Sequence, residues 1–121
     1  MLVYIAGPIR GMPNYNQLAF HQAQLYLERL GHEVINPLQL DLDYDGEINA
    51  SEQWEYAARD TGIILGLQGA YKGRRVEAIY ALSGWSNSIG SRAEVSLAQW
   101  IGAKIITEDP SETVAIIEVE N

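Results

Sequence analysis

Two glycine-broken segments constrain this chain most. Tyr4-Ile5-Ala6-Gly7-Pro8-Ile9-Arg10-Gly11 lies near one end, and Gly84-Trp85-Ser86-Asn87-Ser88-Ile89-Gly90-Ser91-Arg92-Ala93-Glu94 lies late. Each reads as a buried strand running into a turn that opens a helix. A parallel α/β sheet gathers such turns along one edge, and ligands bind there. The pair predicts a pocket with Tyr4, Arg10, Ser88 and Glu94 around it. A phenol, a cation, a hydroxyl and a carboxylate suit a phosphorylated sugar.

The rest of the chain keeps the same rhythm. Residues 2–6 are a short apolar strand. Asn14 or Asn16 can cap a helix in which Leu18, Ala19, Ala23, Leu25, Tyr26 and Leu30 fall near helical spacing, with Gly31 as its stop. A second strand over 33–35 ends at Asn36-Pro37, and 38–50 reads as an acidic connection. A helix follows over about 51–67, then a basic loop over 69–75 and a strand over 78–82. A helix over 92–101 leads to a strand over 103–107. Asp109-Pro110-Ser111 reads as the start of a last helix, and 114–119 is open between helix and strand. Alternating short strands and helices predict a three-layer, Rossmann-like (flavodoxin-like) α/β domain. Its parallel sheet has four or five strands with right-handed crossovers. Residues 1–121 read as one domain.

Composition narrows the function. Hydrophobic residues make up 47% of the 121, so a packed core is expected. No apolar run approaches the roughly 20 residues of a membrane span, and 2–6 is too short for a secretory leader, so a cytoplasmic protein is expected. With no cysteine, disulfides, thiolate metal sites and cysteine nucleophiles are excluded. A net charge of −8 argues against a nucleic acid polymer as partner, though a small anion can still be held by backbone N–H groups and an Arg. His21 and His32 pair with no ligand set and read as surface residues.

Taken together, Tyr-x-x-Gly-x-x-Arg-Gly, Gly-Trp-x-x-Ser-x-Gly-x-x-x-Glu and the later Gly-x-x-Ile resemble the nucleoside 2-deoxyribosyltransferase-like superfamily. Ala6-Gly7-Pro8-Ile9-Arg10-Gly11, Asn36-Pro37 and Leu82-x-Gly84-Trp85 are similar to a branch of small domains common in phages and largely without assigned function. The resemblance covers about residues 2–107, with a different spacing in the middle.

The resemblance implies chemistry in which a carboxylate captures sugar C1′ as an N-glycosidic bond breaks. Glu94 matches the nucleophile. A carboxylate suits a carbon that gains positive charge, and a place in the first turn of a helix would favour its ionised form. Tyr4 matches the Tyr that orients it, and Asp60 the Asp that serves the leaving base or the sugar. Arg10 and Ile9, with Gly7 and Gly11, match a loop that holds a 5′-phosphate. Ser88, six residues before Glu94, stands where the transferases carry an acidic residue for a free 5′-hydroxyl and the 2′-deoxynucleoside 5′-phosphate N-hydrolases carry Ser. Gly90 and Trp85 complete the implied substrate set, and Trp54 and Trp85 have faces on which a base could stack, although buried packing is the commoner use of such residues. Glu77 stands where a second family Asp is usual, and 62–76 lengthens the gap before it. The resemblance also implies a homodimer or higher homo-oligomer and no required cofactor.

One motif stands apart. Asp41-Leu42-Asp43-Tyr44-Asp45-Gly46-Glu47-Ile48-Asn49-Ala50-Ser51-Glu52 follows the EF-hand loop pattern. It offers Asp41, Asp43, Asp45 and Glu52 as side-chain ligands, Glu47 through its carbonyl and Asn49 directly or through water, for a structural Ca²⁺. The helix that should enter such a loop is missing.

Three classes of function follow. The first is hydrolysis of the N-glycosidic bond of a (deoxy)nucleoside 5′-monophosphate through a glycosyl-enzyme, with base transfer as its sister reaction. The second is binding of a nucleotide derivative without turnover. The third is a calcium-stabilised interaction domain.

Overall fold

The computed structural model describes residues 1–112. The elements run β1 (Leu2–Ala6), α1 (Gln17–Arg29), β2 (Glu33–Ile35), α2 (Pro37–Asp45), α3 (Gln53–Ile64), β3 (Ala78–Ala81), α4 (Ile89–Trp100) and β4 (Lys104–Thr107). Short 3₁₀ turns precede α1, at Pro13–Asn16, and α4, at Trp85–Asn87. Among the described residues the four strands form one parallel sheet in the order β2-β1-β3-β4. This is the expected α/β, Rossmann-like architecture. Residues 109–112 form a turn, so the expected last helix, with the 114–119 segment, lies beyond or at the limit of the described residues. Among those residues no helix is long and apolar enough to cross a membrane.

The period of a strand explains the layering. All five residues of β1 are buried, and alternate ones serve opposite faces. Leu2, Tyr4 and Ala6 join Ile79 and Ala81 of β3 against Ile63 and Ile64 of α3 and Val95 and Ala98 of α4. Val3 and Ile5 join Ala78 and Tyr80 against Phe20, Ala23 and Leu27 of α1 and Leu38 of α2. Tyr4 therefore faces the α3–α4 layer.

The strand order reverses at β1. The chain passes from β1 outward to β2, then returns to pair β3 on the other side, with Ala6 opposite Ala81. The crevice between the ends of β1 and β3 is the switch point at which open α/β sheets bind ligands. Both glycine-broken turns leave the sheet there. Gly7 is required by close approach, because a Cβ on it would lie 2.7 Å from Leu82 Cδ1. Gly84 has φ +87°, a left-handed conformation that glycine alone adopts without strain.

The acidic segment is a helix rather than the expected loop. Asn36 caps α2 by accepting from the Leu38 N–H at 3.0 Å, Pro37 opens it, and Gly46, at φ +76°, closes it with its N–H on Leu42 O. Details of α3, α4 and α1 also differ from the sequence reading, α3 being shorter than the expected 51–67. α4 begins at Ile89, with the Ser88 hydroxyl accepting from Ser91 N–H at 3.3 Å. Glu94 thus sits in the second turn of α4, and the helix dipole is a minor influence on it. Asn16 stands at the N-cap of α1 in a left-handed conformation, but its side chain donates to Pro8 O at 3.1 Å and does not cap the helix.

Candidate active site

A pocket of about 300 Å³ opens at the switch point. The turn after β1 contributes Gly7, Ile9 and Arg10. The turn into α4 contributes Asn87, Ser88, Ile89 and Gly90, and α4 itself contributes Glu94. The far wall comes from α2, α3 and the segment between them, through Asp41, Asn49, Gln53, Tyr56, Arg59 and Asp60.

Tyr4 and Glu94 meet although 90 residues separate them. The buried Tyr4 hydroxyl donates to Glu94 Oε2 at 2.5 Å. Burial, and after it the negative charges of Asp60 and Glu94, push the phenol well above its ordinary pKa, so it stays protonated and donates. Burial also pushes the Glu94 carboxyl well above the usual carboxylate range, and the Asp60 charge adds to this. Burial raises Asp60 too, opposed by the Arg59 guanidinium. Two desolvated carboxyls that repel each other hold one proton between them more readily than two charges. Such a pair can supply an acid and a nucleophile in one place.

Arg59 organises the far wall. Its guanidinium contacts Asp41 at 2.7 Å and Asp60 at 2.9 Å, and it packs over the Tyr56 ring at 5.1 Å and the Tyr44 ring at 5.9 Å. Burial works against its charge, but Asp60 and Asp41 outweigh burial and hold it above its ordinary pKa. Asp41 also accepts from Asn49 N–H at 3.2 Å. Arg10 donates to Asn49 Oδ1 at 2.8 Å and to Ser51 O at 3.2 Å, joining the two walls across the pocket.

The structure therefore brings Gly7, Ile9, Arg10, Asp60, Ser88, Gly90 and Glu94 together, with Tyr4 beneath Glu94. It places Trp85 in the core beside Val95 and Ala98, away from the pocket lining, because the turn directs this ring inward. Gly11 is exposed outside the lining, and Trp54 is exposed at the neighbouring α3–α4 groove. Sequence reasoning missed Arg59, Tyr56, Gln53 and Asn87, and it offered the pocket residues Asp41 and Asn49 to calcium instead. The partners of Arg59 lie one and eighteen residues away, and no local pattern marks the pairing.

The six residues offered for calcium are not gathered. Asp41 is buried on Arg59. Asp43 accepts from Gln39 at 3.0 Å, Asp45 accepts from Ser51 Oγ at 2.9 Å, and Glu52 accepts from Trp54 Nε1 at 3.1 Å. Glu47 is exposed, and Asn49 serves Arg10. An EF-hand wraps its first positions around one point, whereas α2 spreads Asp41, Asp43 and Asp45 around a helix. Among the described residues no group of three or more His, Asp or Glu side chains is arranged to hold a metal ion.

Comparison with known proteins reaches the same fold. A family described as a domain of unknown function, DUF4406, matches residues 1–107. The chain belongs to that family. No curated protein matches it. Among solved structures it is similar to the CMP N-glycosidase BcmB of Clostridium botulinum, with a TM-score of 0.59 and 19% identity over 99% of this chain and 80% of that one. At that identity the likeness is one of fold.

Proposed function

We propose that this DUF4406 protein cleaves the N-glycosidic bond of a nucleoside 5′-monophosphate through a glycosyl ester on Glu94, as a member of the nucleoside 2-deoxyribosyltransferase-like superfamily. The observation that carries this reading is the 2.5 Å Tyr4–Glu94 hydrogen bond at the floor of a pocket that also holds Asp60. The structural likeness to a CMP N-glycosidase supports it.

The steps balance on this chain's own groups. The one proton of the carboxyl pair passes to Asp60, and Glu94 then attacks C1′ as a carboxylate, with Tyr4 fixing the orientation of Oε2. The C1′–N bond breaks, and its electron pair leaves on the base. The proton shared by the carboxyl pair reaches that base from Asp60. Water then attacks C1′ of the ester, Asp60 takes the water proton, and Glu94 is released. The 5′-phosphate lies against Arg10 on one side and the opening of α4 on the other. There the Ser88 hydroxyl and the N–H groups of Ile89 and Gly90, ahead of the capped Ser91 N–H, would receive the anion. No carboxylate stands at position 88 to repel it.

A homodimer belongs to the same proposal. Beside the pocket, an apolar groove of about 710 Å³ between α3 and α4 shares Asp60 and Glu94 with it and is rimmed by exposed Trp54, Ile89 and Trp100. A second copy seated there would close the site to water. A monomeric mass across micromolar concentrations overturns this part alone.

The main test is chromatography of free base after incubation with ribo- and deoxyribonucleoside 5′-monophosphates of each base. Ser88→Asp should lower turnover of these substrates more than that of the unphosphorylated nucleosides. Binding without base release, for every nucleotide tried, would reduce the protein to a binding module.

A further inference from the structure

The turn that presents Asn87, Ser88, Ile89 and Gly90 to the pocket is tied to a residue outside the lining. Glu112 Oε1 accepts from the Gly84 N–H at 2.6 Å. Its Oε2 accepts from the Ser86 N–H at 3.2 Å and also from the Ser86 hydroxyl. Glu108 accepts from the Ser83 N–H at 3.0 Å just before. The segment after β4 thus straps the turn that follows β3. Within it the Asp109 carboxylate accepts from the Ser111 N–H at 2.9 Å, and Glu112 N–H donates to Asp109 O at 3.0 Å, which fixes where Glu112 begins.

A carboxylate suits this task, since two oxygens satisfy three donors and each bond is charge-assisted. The Ser86 and Gly84 donors also hold the Glu112 carboxyl below the usual range, so it is ionised at neutral pH. Gly84 supplies no side chain to brace the turn, and glycine is the residue with most backbone freedom to lose, so the bond to Glu112 restricts the turn where it is loosest. From Gly84 the chain continues through Asn87 N–H on Gly84 O and Ser88 N–H on Trp85 O into the Ser88 cap of α4.

We propose that Glu112 is a positioning residue that holds the turn from Gly84 to Asn87 so that Asn87, Ser88 and the first N–H groups of α4 meet the substrate's 5′-phosphate. This rests on the nucleotide reading above. Glu112 does not touch Glu94, Tyr4 or Asp60, so its loss should act on phosphate binding and leave the chemistry at C1′ intact.

The test uses the full chain. Glu112→Ala should raise KM for nucleoside 5′-monophosphates about tenfold, the scale of one lost charge-assisted hydrogen bond, with kcat nearly unchanged. KM for the unphosphorylated nucleoside should stay put. Glu112→Gln keeps one acceptor oxygen and should fall between, and it replaces the Ala variant should that one fail to fold. Amide exchange at Gly84 and Ser86 should quicken in both. An unchanged KM, or an equal rise for phosphorylated and unphosphorylated substrates, overturns the inference. A wild-type protein that neither binds nor cleaves any nucleotide overturns the functional reading instead.

Discussion

The two walls of the pocket are made of different material. The β1–β3–α4 wall is shaped by the backbone: Gly7 lets two strand ends approach, Gly84 turns the chain, and the opening of α4 lines the cavity at Ser88, Ile89 and Gly90. The α2–α3 wall is side chain: Asp41, Tyr56, Arg59 and Asp60 hold one another through ion pairs and ring faces. A backbone wall is specified by glycine and cap residues that act locally. A side-chain wall depends on partners brought together by tertiary packing. Substitutions should therefore act differently on each side, with the largest effects where the walls meet.

Glu94 is that meeting point. Glu94→Gln should lower base release about a thousandfold, the scale of losing a reacting group rather than a contact. It should also stabilise the protein at neutral pH. Glu94 has a folded pKa well above its unfolded one, so the folded state binds the extra proton, and stability is lost as pH rises from the ordinary carboxylate value, about 4, through the raised one. Gln never ionises and escapes this loss. Thermal unfolding should place the variant above wild type at pH 7, with the gap closing toward pH 4. A variant less stable than wild type at pH 7 would show that Glu94 is not strained by burial.

Arg59 tests the side-chain wall alone. Arg59→Met should cost about 3 kcal/mol in urea unfolding, because Asp41 remains buried without its cation. The same variant should move the pH–rate profile. Arg59 opposes the burial that raises Asp60, so removing it raises Asp60 further. Asp60 must be protonated to serve the leaving base, so the alkaline limb should shift to higher pH. A limb that stays in place separates Asp60 from proton donation.

The same division explains what could be read in the chain. Gly7 and Gly84 announce their strand–turn–helix units locally, and with them the parallel sheet and the nearness of Tyr4 to Glu94 were legible. The sequence reading starts α4 at 92, three residues late, because Gly90 inside the first turn reads as part of the loop, whereas the Ser88 cap opens the helix before it. For α2 the signals were present: a capping Asn36, a Pro37 opening and a Gly46 stop nine residues on. The acidic alternation of Asp41, Asp43 and Asp45 masks them, because it fits a calcium loop in spacing and not in backbone. Arg59 had no such signal. Its meaning appears only when α2 and α3 pack side by side.

The smallest expected effect sharpens this last point. Asp41 and Asp43 hold equivalent places in the EF-hand spacing, yet α2 buries the first on Arg59 and leaves the second at the surface with Gln39. Asp41→Asn should cost about 2 kcal/mol by weakening a buried ion pair, while Asp43→Asn should stay within about 0.5 kcal/mol, the range of ordinary surface changes. Both values should be the same in chelator and in millimolar Ca²⁺, because helical geometry spreads the acids that a calcium ion would need converged. A calcium-dependent rise in melting temperature that Asp43→Asn abolishes would mean that α2 unwinds to bind the ion. The far wall would then be a metal-ordered loop, and the contrast between the two walls would have to be redrawn.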